Sequence, residues 1–145
     1  DSGITAGALV SLGGDIATTP AAPAGGWVVE VRDMPSDLAT RVALSDGAAI
    51  ATSSTRRRRL PLRPGPAAHI IDPRSARAAP DTWGAVTAIA GSCAHANTAT
   101  TAAVVLGDAA PAWLEARGIA ARLLRTDGSI VHTARWPRVR EAAHV

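Results

Sequence analysis

The chain has 145 residues, which suits one domain or part of a larger one. Apolar residues make up 47% of it, but 33 of them are alanine and there is no Phe or Tyr, so its core must be built from small side chains that each bury little area. All 15 basic residues are arginine, set against 12 acidic ones for a net charge of +3, and no basic stripe with interleaved aromatics is present, which excludes the usual nucleic-acid footprint. No apolar run reaches the ~18 residues of a membrane span. The single Cys93 cannot build a disulfide framework or a cysteine zinc site, and its small neighbours predict a buried structural thiol.

In chain order, residues 8–12 read as a short apolar strand followed at once by Gly13-Gly14-Asp15-Ile16. A glycine pair at a strand end permits a sharp turn or a close backbone approach to a ligand, and the turn is the plainer reading. A Pro/Ala/Gly loop over 19–26 leads to a strand over 27–32. Residues 40–44 and 47–53 read as two strands of a hairpin around Ser45-Asp46-Gly47. The run Arg56-Arg57-Arg58-Arg59 follows, with Arg63 nearby, and reads as a solvated loop kept irregular by Pro61, Pro64 and Pro66. A strand over 67–71, a loop over 74–82 and a strand over 84–90 come next.

Ser92 is a candidate N-cap for a helix of very small residues over 93–106, which Gly107 would end. A second helix over 110–117 stops at Gly118. A last hairpin joins 119–124 to 129–133 around Thr126-Asp127-Gly128, and a basic tail begins after Pro137. Strands outnumber helices and the helices follow runs of strands, so the expected class is α+β with a mostly antiparallel sheet.

Two places carry chemistry. Asn97, Thr100 and Thr101 share one helix face by the i, i+3, i+4 rule, and their hard oxygens suit Mg²⁺ or Ca²⁺ rather than zinc. A helix N-terminus also favours a nearby phosphate. Threonines and alanines at that spacing also serve close helix packing. His69 enters an apolar strand, where it can be a hydrogen-bonded structural residue or a general base. Asp72 can orient it or cap the next turn.

Taken together, Gly13-Gly14-Asp15-Ile16, Ala51-Thr52-Ser53, His69-Ile70-Ile71-Asp72-Pro73-Arg74 and Ala96-Asn97-Thr98-Ala99-Thr100-Thr101 through Val105-Leu106-Gly107 resemble, in order and spacing, the FAD:protein FMN transferases of the ApbE family. The His-Ile-Ile-Asp-Pro block is the most specific of the four. The resemblance implies that residues 1–136 are the C-terminal half of a flavin transferase domain with a T-fold-like architecture, and that 137–145 are a tail. On that resemblance, the N-terminal half of the domain, with much of the flavin-binding surface, would lie outside these 145 residues.

The resemblance also implies Mg²⁺-dependent transfer of FMN from FAD, the substrate, to a threonine hydroxyl of an acceptor flavoprotein, with AMP released. It puts Asn97 and Thr101 at metal-ligand positions and Thr100 at a position that is metal-linked in some members. It makes His69 the base, and it sets Ile71, Thr52 and Ser53 beside FAD. A relative that binds or hydrolyses FAD without modifying a protein, and an inactive truncated piece, stand as alternatives. Three departures are visible. Asn97 replaces the family's usual aspartate, Ser54 stands where a glycine usually follows Thr-Ser, and Ser75-Ala76 replaces Thr-Gly.

Overall fold

A computed structural model describes residues 6–61 and 67–137. In chain order the strands are β1 (Leu9–Leu12), β2 (Asp15–Thr18), β3 (Trp27–Val31), β4 (Thr40–Leu44), β5 (Ala49–Ser54), β6 (Arg59–Leu60), β7 (Ala67–Ala68), β8 (Ile71–Asp72), β9 (Arg77–Ala78) and β10 (Trp83–Ala90). Helix α1 (Cys93–Leu106), a 3₁₀ turn (Gly107–Ala109) and α2 (Ala110–Ala116) follow, and β11 (Ala120–Arg125) and β12 (Ile130–His132) close the chain. The class is α+β, as the sequence predicts.

Six strands form one antiparallel sheet in the order β1-β2-β5-β10-β11-β12. Period-two alternation sends Ser53, Val86 and Ala88 to one face and Ile50, Thr52 and Ile89 to the other. Helices α1 and α2 cover the first face, burying Val86, Ala88, Ala99, Ala103, Val104 and Leu114 together. The β3–β4 hairpin covers the second, where Val31, Val42 and Leu44 meet Ile50 and Trp136. Two thin cores therefore sandwich one sheet.

Helix α1 forms as its sequence predicts. Ser92 caps it by accepting a bond from the His95 N–H at 3.3 Å, and Gly107 ends it at a φ of 56°. The Trp83 indole donates to the Gly107 carbonyl at 2.7 Å, fixing that end against β10. Alanine dominates the buried side, so α1 packs directly on β5 and β10.

Several expectations are corrected. The glycine pair is a turn, with φ of 64° and 102°, but it joins β1 to a second strand, β2, that the sequence reading does not include. The Ser45–Gly47 turn exists, yet β4 and β5 do not pair. β4 pairs with β3 and β5 with β2 and β10, so the turn carries the chain between layers. The strand expected over 67–71 is two short ones, β7 and β8, broken at His69 and Ile70. They pair with β6 and with β9, and β9 lies inside the expected 74–82 loop. Cys93 is half-buried rather than buried, and burial, with Asp15 nearby, pushes its thiol pKa up. Residues 62–66 of the proline loop and the tail from 138 lie outside the described residues.

Ala76 follows the β8 turn with a φ of 54°, in the left-handed region that costs a Cβ-bearing residue about 1–2 kcal/mol. Its N–H still donates to the Asp72 carbonyl at 2.9 Å, so the backbone keeps a glycine-type turn without the glycine. Ala76→Gly is expected to raise stability by about 1 kcal/mol in urea denaturation, because the relief of that strain exceeds the entropy glycine adds to the unfolded chain.

Candidate functional site

The β2–β5 ladder ends at the Ile16–Ile50 pair, while β5 runs on to Ser54. The sheet therefore parts beyond Ile50, and a cavity of about 770 Å³ opens there. The Gly13–Gly14 turn with Asp15 forms one wall, and Thr52 and Ser53 another. Arg57, Arg58, His69 and Ile71 line a third side, and Asn97 and Thr101 of α1 a fourth. Six of the seven residues singled out from sequence thus share one cavity. The seventh, Thr100, is fully buried one hydroxyl behind it.

Three hydroxyls join β5 to α1. Ser53 Oγ lies 2.9 Å from Thr100 Oγ1 and 3.2 Å from Thr101 Oγ1. The Thr100 hydroxyl donates to the Asn97 carbonyl at 2.9 Å. Each hydroxyl has one proton to give. With that of Thr100 committed, Ser53 donates to Thr100 and Thr101 donates to Ser53. The chain of bonds runs inward and leaves the lone pairs of Thr101 facing the cavity.

Asn97 is oriented as well. Its Nδ2 donates to Asp15 Oδ2 at 3.0 Å, and only the NH₂ end of an amide can do so, which turns Oδ1 away from the carboxylate. The cavity meets α1 on its side, at Asn97 and Thr101, and not at its N-terminus, which Ser92 caps. The expected phosphate position at the helix end is therefore not where the cavity lies.

His69 sits at the break between β7 and β8. Its backbone N–H donates to the Arg58 carbonyl at 3.3 Å, and Nδ1 lies 3.0 Å from the same oxygen. A carbonyl only accepts, so Nδ1 carries a proton, and in the tautomer this bond selects it is Nε2 that holds the lone pair. Asp72 does not orient His69. It accepts from the Arg74 N–H at 2.9 Å and from the Arg74 guanidinium at 3.0 and 3.1 Å, and those bonds hold its carboxyl pKa below the usual range. Of the two roles read for Asp72, the turn cap is the observed one.

The arginine run is not a solvated loop throughout. Ser54 begins it by accepting from the N–H groups of Arg56 and Arg57 at 3.2 and 3.3 Å. The buried Asp33 carboxylate then pairs with Arg57 at 3.1 Å and Arg56 at 3.5 Å, and Arg56 also reaches Asp37 at 2.9 Å. Arg57 donates besides to the Asp33 carbonyl. Arg122, buried in β11, completes the cluster. Burial pushes its pKa down, and Asp37 and Asp33 draw it back up. These pairs tie the segment after β3 to the segment after β5 and hold Arg57 and Arg58 at the cavity wall.

The donor set matches hard-cation chemistry. Asn97 Oδ1, Thr101 Oγ1 and the Asp15 carboxylate are all oxygens, and Mg²⁺ takes one or two carboxylates plus substrate phosphate rather than a closed protein cage. Among the described residues no group of three or more His, Cys, Asp or Glu gathers as such a cage. The cavity is of ligand-pocket size, and Arg32, Arg57 and Arg58 line it with guanidinium groups of the kind that suit phosphate oxygens. The residues present fit both Mg²⁺ and FAD. Sequence reasoning missed Asp15 and Arg58 as site residues. The first had a signal, the strand-end glycine pair before it. The second acts through a backbone carbonyl, which side-chain patterns do not encode.

The ApbE family model matches residues 2–123. Among solved structures, the chain resembles the Pseudomonas stutzeri flavinyl transferase ApbE in its apo form, at 28% identity and a TM-score of 0.71, with 87% of this chain and 41% of that one covered. It resembles the ApbE protein of Thermotoga maritima at 26% identity and a TM-score of 0.74, covering 88% and 43%. The flavin transferase ApbE of Vibrio cholerae matches at 25% identity and a TM-score of 0.69, covering 87% and 42%. The chain thus spans about two fifths of the length of these structures. None of the curated proteins matches it.

Ser53→Ala removes the middle hydroxyl of the inward chain and strands the Thr101 proton. The expected cost is about 1–2 kcal/mol in urea denaturation. Thr52→Ala, on the other face of β5, leaves that chain intact but breaks the 2.9 Å hydroxyl bond to the buried Thr87, and is expected to cost about 1 kcal/mol.

Proposed function

The chain belongs to the ApbE family, and from that premise we propose that it carries the metal-and-base side of a flavin transferase: Mg²⁺-dependent transfer of FMN from FAD to a threonine hydroxyl of an acceptor flavoprotein, with release of AMP. The observation that carries the proposal is the convergence of His69, from the β7–β8 break, with Asn97 and Thr101 of α1 on one cavity.

Each residue has a role in this reading. Asn97 Oδ1 and Thr101 Oγ1 hold the cation, and Thr100 fixes Thr101 through Ser53. Mg²⁺ bound there supplies charge neutralisation on the pyrophosphate oxygens. Thr52, Ser53 and Ile71 lie beside FAD, and Arg57 and Arg58 face its phosphates. His69 Nε2 takes the proton of the acceptor hydroxyl. That oxygen forms a bond to the FMN phosphorus, the bond from the same phosphorus to the AMP oxygen breaks, and AMP leaves as a phosphate monoester. The bond from Nδ1 to the Arg58 carbonyl keeps the basic nitrogen on the other side of the ring. Water must also be kept from the reacting phosphorus, and the apolar Val29 and Val31 of β3 and Ile16 and Ile50 line the cavity to that end.

The test mixes the protein with FAD, Mg²⁺ and an acceptor flavoprotein and reads covalent flavin fluorescence on a denaturing gel. A fluorescent acceptor band is expected. EDTA should abolish it, and His69→Ala should reduce its rate by about 10²–10⁴-fold. AMP and free FMN with no labelled protein would instead establish FAD hydrolysis, the second reading that Asn97 in place of a carboxylate motivates. Neither label nor AMP release would contradict both.

A further inference from the structure

Three carboxylates line the cavity, and two are neutralised by arginine. Glu30 bonds Arg32 at 2.6 Å, and Asp33 pairs with Arg56 and Arg57. Asp15 instead meets a neutral amide, the Asn97 Nδ2 at 3.0 Å, across 82 residues of sequence. The turn before it delivers it there. Gly13 and Gly14 both take positive φ, and Asp15 is the first residue of β2 as that strand leaves the turn toward α1. A carboxylate held against an amide oriented for a cation adds negative charge to the cation's surroundings.

The charge has a purpose under the reading proposed above, on which this inference rests. Asn97 and Thr101 are both neutral, so alone they give a divalent cation no formal negative charge from the protein. Mg²⁺ sites ordinarily include at least one carboxylate. We infer that Asp15 is a positioning residue of the cation site: it fixes the Asn97 amide with its oxygen free and supplies the negative charge that the amide lacks. The carboxylate stands in the β1–β2 turn, and its hydrogen bond to Asn97 keeps it in the site. Outer carboxylates of this kind orient a ligand and raise its donor strength.

The experiment is a Mn²⁺ titration followed by electron paramagnetic resonance, with FAD present, on three forms of the protein. The wild type is expected to take up Mn²⁺. Asp15→Asn, nearly isosteric, should weaken Mn²⁺ binding about tenfold or more. Asp15→Asn combined with Asn97→Asp returns the carboxylate across the same contact, and should restore affinity to within about threefold of wild type. The swap leaves the same two side-chain types in place, so a loss that it reverses is not a folding defect. Wild-type affinity in the single variant would overturn the inference, and so would a double variant that binds no better than the single one. No Mn²⁺ uptake by the wild type would overturn the metal reading and this inference with it, which separates the two failures.

Discussion

The site depends on how closely α1 lies against the sheet. Ala88, Ala99 and Ala103 are all fully or nearly buried at that contact, and Ala51 shares the Ser53 face of β5. With side chains this small, the helix rides near enough for hydroxyls on the two elements to bond at 2.9 and 3.2 Å. A leucine at any of these positions would lift the helix and part them, since close-packed interiors absorb little added volume. The alanine content that thins the core is thus also what lets Ser53, Thr100 and Thr101 act as one unit. Thr101 faces the cavity with its proton already committed inward, and a cation there meets lone pairs and not a competing hydrogen.

A second constraint acts from the other face of the sheet. Asp33 is buried, and a buried carboxylate must be paired. Its partners come from the arginine run after β5, with Arg122 of β11 beneath them. The β3–β4 layer is thereby fixed to the segment that carries Arg58. The Arg58 carbonyl in turn sets the orientation of His69. Thus a charge cluster on one face positions His69, the proposed base, and a hydroxyl chain on the opposite face positions Thr101, a proposed metal ligand. The cavity lies where the two meet, at the point where β2 leaves β5.

Much of this was legible in the sequence, and the failures have a pattern. Helix α1, its Ser92 cap and its Gly107 stop follow from local chemistry, so they were read correctly, as was the hairpin of β11 and β12. The Asp-Gly turn after β4 was seen, but its partner strands were not, because a turn signal does not say which sheet the chain enters next. The break at His69 was invisible, since Ala-Ala-His-Ile-Ile reads as one apolar run. The arginine run looked like solvated charge because Asp33 lies more than twenty residues before it and is buried only by the fold. Helix periodicity groups Asn97 with Thr101, but that His69 meets them follows only from the resemblance, since no periodicity spans the two segments. Asp15 stands at the end of a glycine turn that the sequence shows, yet its bond to Asn97 spans 82 residues, which no local pattern encodes.

The central claim is that one cavity gathers a cation site and a base around a pyrophosphate. A crystal structure of the protein with FAD and Mn²⁺, with diffraction recorded for the anomalous signal of manganese, tests it most directly. The account predicts an anomalous peak bound by Asn97 Oδ1 and Thr101 Oγ1, with the FAD pyrophosphate on the same ion and His69 Nε2 facing the FMN phosphorus. A peak bound elsewhere, or FAD seated with its pyrophosphate outside this cavity, would contradict it.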